Sequence, residues 1–408
     1  MNRKGFILST YVYMLLVFFL LLLTTMLAVM NNTKLLSNKL KEQSGNTSGL
    51  IDKDYSFILL GEADMVLRKG EEYIEPGFKI QTSKKKDLSD IVSITGNVDV
   101  NNPNTYKLTY SATYNGITKK LTRNVHILDN IASSYITGLY NYRKDENGLI
   151  KDNTADENIR YAGSNEIVKN YVEFGNEGEL WRIIGVFNVA SDGGESTLER
   201  IKLVKDTALA NKQYWDTNGI NQWGETTMTS DNTTVYAGSS LMQYLNVGDS
   251  SYYNSLNSNA KSQIDEVIWN TGGLLVNDAI DSKMAYLEER GTSVGTNTAI
   301  NYTTTWLGKI GLIYPSDFGY AGIGCINMRE SCNTNNWLYK NEKYWTITSR
   351  ASSSYGIWVL NKSVYLSSVH AIEEGEDALF VRPAVYLKYN VKVIDGDGTQ
   401  DNPYKLSI

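Results

Sequence analysis

Residues 105–128 read TYKLTYSATYNGITKKLTRNVHIL. Tyr106, Leu108 and Tyr110 alternate with polar residues, the period of a half-buried strand. Asn115-Gly116 divides this run from the next, and both residue types accept the positive φ of a tight hairpin turn. The stretch therefore predicts two antiparallel strands, Thr105–Tyr114 and Ile117–Ile127. Working outward, SFILL (56–60) and DIVSITGNV (90–98) carry the apolar and β-branched content of further strands. Residues 55–129 are expected to form a small all-β module.

The order of features upstream is also distinctive. Gly70, Tyr73, Pro76 and Gly77 form a Gly-x-x-Tyr-x-x-Pro-Gly segment, Pro103-Asn104-Thr105-Tyr106 precedes the hairpin, and Thr122-Arg123-Asn124-Val125 closes it. This arrangement resembles the small immunoglobulin-like repeats of Gram-positive surface proteins, with Asn104 standing where those repeats have Gly. The resemblance implies an immunoglobulin-like β-sandwich over 55–129 that serves as a spacer or adhesion unit and carries no catalytic residues.

The chain before the module is apolar. No charge falls between Gly5 and Thr33, a run of 29 residues bounded by Lys4 and Lys34. A helix crossing the hydrocarbon core needs about 20 such residues. Residues 11–30 are expected to form an uncleaved transmembrane helix, with 1–10 a cytoplasmic, leader-like segment and 31–54 a helical extension and linker. This reading places the protein in the cell membrane as a single-pass protein with its C-terminal domains outside. A cleaved signal peptide is the alternative, although its apolar core is shorter. Lys4-Gly5-Phe6 resembles the junction at which type IV prepilins are cut, which would make Gly5–Phe6 a processing site and the protein part of a pilus-like assembly. Thr10 stands where those proteins carry a glutamate, and a threonine cannot set register electrostatically.

The remaining residues, 133–408, are enough for a large domain. All eight tryptophans lie there. SSLMQYLN (239–246) spaces Leu241, Met242 and Leu245 on one helical face behind a serine cap, and NAKSQIDEVIWN (259–270) does the same with Ile264, Val267 and Ile268. Strand candidates include GELWRIIGVF, ERIKLVK, YWTITSR, YGIWVLN and ALFVRPAVYLK. A larger α+β head is expected. WLGKIGLIYPSDFGYAG, NNWLY, YWTITSR and VRPAVYLKYNVKVIDGDGTQDNPYKL resemble an uncharacterised C-terminal domain of exported low-GC Gram-positive proteins. The ending is similar to modules of the C-type-lectin-like class.

The chemistry-bearing residues are few. Cys325 and Cys332 are the only cysteines. An even count in an exported chain favours a disulfide over two free thiols, and the resembling domain carries a cysteine pair at this place. Two histidines give little material for His-dependent hydrolysis. Asp395, Asp397 and Asp401 cluster in DGDGTQDNPY. Alternating acidic oxygens suit calcium, but the full EF-hand spacing is absent, so a surface turn and a calcium loop both stand; no other cofactor is expected. The acidic run in HAIEEGEDALF reads as a solvated loop. Arg350 and Arg382 each pair with a buried carboxylate or face a ligand. Tyr314, Tyr320, Trp337, Trp345 and Trp358 are candidate ligand-facing aromatics, because rings with polar tips suit sugars and protein interfaces; core packing is the competing role. A formal net charge of −6 and the lack of a basic footprint exclude nucleic-acid binding.

These observations predict a membrane-tethered extracellular surface protein with an adhesion or envelope-structure role, without catalysis, whose partners are the membrane and a surface glycan or protein. A pilin-like component and a secreted carboxylate-dependent enzyme acting on envelope polymers are the alternatives.

Overall fold

The computed structural model describes residues 54–191, 197–277, 279–325, 327–328, 332, 335–361, 366–370 and 378–408. They form two compact units. The first takes the described residues up to Ala63, Glu75–Gly96 and Leu108–Arg123. The second takes Asp64–Ile74, Asn97–Lys107 and Asn124–Ile408.

The N-terminal strands are β1 (Tyr55–Leu59), β2 (Asp64–Arg68), β3 (Phe78–Thr82), β4 (Val92–Thr95), β5 (Asn104–Tyr114) and β6 (Ile117–Leu128). In the first unit β1 pairs antiparallel with β3, and β4 with β5. The predicted hairpin is present: β5 and β6 are neighbours, and Asn115 and Gly116 both hold positive φ, 49° and 82°. Tyr55, Phe57, Ile80, Tyr110 and Ala112 form the core of this unit. Arg123 is wholly buried within it. Its guanidinium donates to the carbonyls of Leu60 (2.7 Å), Gly77 (3.1 Å) and Glu62, and lies 3.2 Å from the Glu75 carboxylate. One side chain thus satisfies the carbonyls of two separate chain segments.

In the second unit β2 pairs with the end of β6 in parallel. Helix α1 (Ala132–Asn147) follows, then strands β7 (Leu149–Lys151), β8 (Ile159–Tyr161), β9 (Tyr171–Glu173), β10 (Leu180–Ala190) and β11 (Thr197–Lys205). Next come β12 (Thr226–Thr227), β13 (Val235–Tyr236), helices α2 (Ser240–Asn246), α3 (Tyr252–Ser255) and α4 (Ser258–Gln263), and β14 (Val267–Asn270). Helix α5 (Ser282–Glu289), β15 (Thr305–Gly308), β16 (Ile310–Gly311) and helix α6 (Pro315–Ala321) precede β17 (Tyr344–Ser349), β18 (Gly356–Leu360), β19 (Leu366–His370), β20 (Ala384–Tyr386), β21 (Lys392–Asp395) and β22 (Lys405–Ser407).

The main sheet runs β16-β20-β11-β10-β8-β7, with β9 also on β10. Strand β10 has no alternation because it is buried on both faces from Trp181 to Phe187. Gly185 sits at its bulge, where a Cβ would meet the Ile159 carbonyl oxygen at 2.2 Å. A second sheet, β17-β18-β19, pairs the IWVL strand antiparallel with the strand after it.

Two expectations are corrected. Among the described residues no helix is long and apolar enough to cross a membrane. The predicted transmembrane helix, residues 11–30, lies outside the described residues, as do the leader-like segment and the Gly5–Phe6 junction. The single-pass topology and the membrane partner are therefore not carried further. The helix expected over 259–270 ends at Gln263; Val267–Asn270 leave it as strand β14 and pair with β15. The one-face spacing of Ile264, Val267 and Ile268 did signal burial, but β-branched and aromatic residues side by side favour a pleated surface.

Candidate functional site

Seven of the eight tryptophans are buried, and Trp306 on β15 is the exception. It lines a cleft of about 600 Å³ with Tyr253, Asn254, Glu225, Glu266 and Lys309. Local sequence builds each wall. The Ser239 hydroxyl caps α2 by accepting from Met242 N–H at 3.2 Å. Asn246 at the end of α2 bonds both the N–H and the carbonyl of Ile310, at 3.0 and 2.9 Å, so the helix is fixed to the strand after Trp306. Ser251 caps α3, which carries Tyr253 and Asn254.

The Trp306 ring is seated by two glycines. A Cβ on Gly308 would fall 2.1 Å from the ring, and one on Gly224 would fall 2.3 Å from it. Gly308 lies two residues along the same strand, hence on the same face. The indole also meets the buried Trp223 edge-on at 5.9 Å, and Trp223, Trp215 and Trp345 continue inward at 5.1 and 5.8 Å. The cleft aromatic is thus backed by a row of core aromatics. At the rim Lys309 Nζ lies 3.5 Å from Glu266 and 5.1 Å from the centre of the Tyr253 ring. The arrangement offers a rigid π surface flanked by carboxylate, amide and ammonium groups.

The aromatics singled out from sequence lie elsewhere. Tyr314, Tyr320, Trp337, Trp345 and Trp358 are all buried. Their polar tips serve neighbouring groups. The indole N–H of Trp337 donates to Tyr161, that of Trp345 to Gln213 and that of Trp358 to Leu274, each carbonyl at 2.8 Å. Tyr314 accepts from Asn270 N–H at 2.9 Å, and Tyr320 donates to Asn153. Trp306 carried a sequence signal of its own, an aromatic two residues before a glycine in a strand.

Cys325 and Cys332 form a disulfide. Asp395 lies 3.3 Å from Lys405 and 3.7 Å from Arg68, and Asp397 accepts from Thr399 N–H and hydroxyl at 3.0 and 2.7 Å. Asp401 is exposed. Among the described residues no group of three His, Cys, Asp or Glu side chains is placed to hold a metal ion. The acidic run, residues 371–377 in large part, lies outside the described residues.

An ionic cluster lies buried between the main sheet and α6. Asp317 accepts from Lys202 at 2.6 Å and from Arg160 at 3.0 Å, and Arg160 also reaches Asp152 at 2.7 Å. Burial alone would raise the Asp317 pKa, but Lys202 and Arg160 outweigh it and hold the group below the usual carboxylate range. Burial pushes Lys202 down to about 8 against the pull of Asp317. Beside it, Glu289 accepts from Ser316 N–H at 2.9 Å and from its hydroxyl at 2.5 Å, yet burial pushes its pKa up to about 7. With every charge in an ion pair or hydrogen bond and none exposed, and only Arg160 Nη2 lacking an acceptor, this cluster fixes α6 rather than presenting groups to a ligand.

Residues 57–127 match the family described as "Bacterial surface protein, Ig-like domain", and this segment is an immunoglobulin-like domain. No curated protein matches the chain. Among solved structures, a lipoprotein from Bacteroides thetaiotaomicron is 14% identical, covering 82% of this chain and 100% of its own, with a TM-score of 0.18. The CBM51-2 domain in complex with GlcNAc, together with the INT domains, from Clostridium perfringens ZmpB is 12% identical, covering 45% of this chain and 37% of that one, with a TM-score of 0.17. At these scores the structural likenesses carry no argument. The expected C-type-lectin-like and prepilin resemblances find no support in these comparisons.

Proposed function

We propose that this is a bacterial surface protein with an adhesive or envelope-structure role, and that the Trp306 cleft binds a surface saccharide. The observation that carries this reading is the half-buried Trp306 ring, braced by Trp223 and two glycines and ringed by polar side chains. Apolar sugar faces stack on such rings, while hydroxyls use carboxylates and amides. The surface location draws support from the immunoglobulin-like domain and from the disulfide, which belongs to oxidising compartments. The test is binding of the full chain to purified cell-wall polysaccharides and an array of bacterial glycans. Saturable binding that Trp306→Ala weakens at least tenfold supports the reading; a Trp306→Ala variant that binds equally well removes it.

One observation favours a second reading. Glu225 and Glu266 line the same cleft, and glycoside hydrolysis uses two carboxylates. Release of reducing ends from a bound polysaccharide, abolished in Glu225→Gln, would move the protein to the enzymes.

A further inference from the structure

A cavity away from the Trp306 cleft presents a different chemistry. Its volume is about 350 Å³, and Asp206, Lys340, Glu342, Phe380 and Arg382 help to line it. Three cations gather around Asp206. Lys340 lies 2.6 Å from its carboxylate and Arg182 3.5 Å. Arg382 adds its field to theirs; burial works against the Asp206 charge, but the three together hold its pKa below the usual range. Lys340 and Arg382 line the cavity together with Asp206 and Glu342, and Arg182, behind Asp206 and outside the lining, makes the surroundings of the cavity cationic by one charge. Glu179 does not offset that charge, since its carboxylate is engaged with Lys205 at 3.0 Å.

Arg382 is the arginine that lines the cavity, and it is 1% exposed. Its Nε donates to the Lys205 carbonyl and its Nη1 to the Leu338 carbonyl, both at 2.9 Å. Its Nη2 is buried and has no acceptor. Leaving a buried guanidinium N–H unpaired is costly, and an acceptor brought by a ligand removes that cost.

We propose that this cavity binds an aliphatic carboxylate. A carboxylate brings one negative charge and two oxygens, one for Arg382 Nη2 and one for Lys340. The rest of the lining includes Ala208, Leu209, Ala210 and Phe380, which suit a short carbon tail. Lys212 sits 4.8 Å from the centre of the Phe380 ring, which leaves that ring poorly placed to stack a sugar. The same chemistry comes from a free short-chain acid or from the C-terminal residue of a peptide.

The test is calorimetric titration of the full chain with isobutyrate and with N-acetylalanine, using N-acetylalanine amide and inorganic phosphate as controls. At least one carboxylate should bind saturably at one site, with the amide and phosphate at least tenfold weaker. The tighter of isobutyrate and N-acetylalanine identifies the source. Lys340→Gln, checked for folding by its melting transition, should weaken binding about tenfold, the loss of about 1.4 kcal/mol. Glu342→Gln should tighten it by removing a like charge. Absence of saturable carboxylate binding, tighter binding of phosphate, or undiminished binding by a folded Lys340→Gln protein would each overturn the proposal.

Discussion

Trp306 meets Trp223 edge-on, with ring centroids 5.9 Å apart and planes at 82°. The two residues divide the roles of structure and recognition, because Trp223 is 1% exposed and Trp306 opens on the cleft. Trp223→Ala should lower stability by about 3–5 kcal/mol, the range for emptying a buried aromatic site. Trp306→Ala should cost less and act on saccharide binding instead. Urea denaturation of both variants, beside glycan binding at a concentration where each is folded, separates the effects. Equal destabilisation by both would place Trp306 in the core.

Gly308 supports the same ring. A Cβ there would fall 2.1 Å from the indole, so Gly308→Ala forces Trp306 to turn or lift. Saccharide affinity should fall at least tenfold while the folded state persists. Unaltered affinity would show that the ring's position is not what the ligand reads.

What could be read from the sequence depended on how local the cause was. Asn115-Gly116 dictates its hairpin through its own backbone preferences, and both residues hold positive φ. The Leu241, Met242 and Leu245 face was visible because one short helix contains its periodicity and its cap. The strand within ALFVRPAVYLK was visible but its neighbours were not: Val385 of β20 pairs with Leu203 on one side and Ile310 on the other, partners far away in the chain. The helix-like spacing of Ile264, Val267 and Ile268 misled for the same reason, since pairing with β15 overrode it. The cleft was missed because richness in Tyr and Trp drew notice to rings that the core consumes. The informative residue was the one whose strand neighbour, Gly308, leaves room for it.

Arg123 makes a prediction for the first unit. It joins the Leu60, Glu62 and Gly77 carbonyls and the Glu75 carboxylate. Arg123→Ala removes this shared donor, although the Gly77 carbonyl keeps Leu60 N–H at 3.0 Å and the Glu75 carboxylate keeps Gly77 N–H at 2.8 Å, and should cost about 3 kcal/mol. Lysine carries the charge but not the fork of donors, so Arg123→Lys should recover only part. Hydrogen exchange of peptides covering 55–62 and 108–123 should accelerate in Arg123→Ala. Unchanged protection would mean that the backbone pairing alone holds these segments.

The disulfide closes a short loop, its cysteines seven positions apart, that includes the buried Met328. Met328 N–H donates to the Ile280 carbonyl at 2.8 Å, and its own carbonyl accepts from Leu366 N–H at 2.7 Å. Loop-closure entropy for such a ring is about 2–3 kcal/mol. The Cys325→Ser/Cys332→Ser protein should melt lower by a corresponding amount, and dithiothreitol should lower the wild-type transition but not that of the variant. Equal sensitivity of both proteins to the reductant would refute the stabilising role.

Glu289 should give the protein a stability that falls toward neutral pH. Burial raises its pKa from the ordinary 4.5 to about 7, so the folded state holds a proton that the unfolded state releases. The stabilisation is fully present below pH 4.5 and is lost as pH rises through about 7. Its upper bound is about 3 kcal/mol at 1.36 kcal/mol per pH unit. Lys202, with its pKa of about 8, is charged in both states below about pH 7 and adds a slope of the opposite sign only as pH nears 8, equally in the wild type and the variant. Asp317 and Asp152 act below it: their lowered pKa values contribute stability that is lost as pH falls under 3.8. Glu289→Gln keeps a neutral acceptor for Ser316 and cannot ionise. Urea midpoints measured at pH 5 and pH 8 should therefore differ less in the variant than in the wild type. An identical pH dependence in the two proteins would mean that Glu289 is ionised in the folded state and that the Ser316 hydrogen bonds, together with Arg290, prevail over burial.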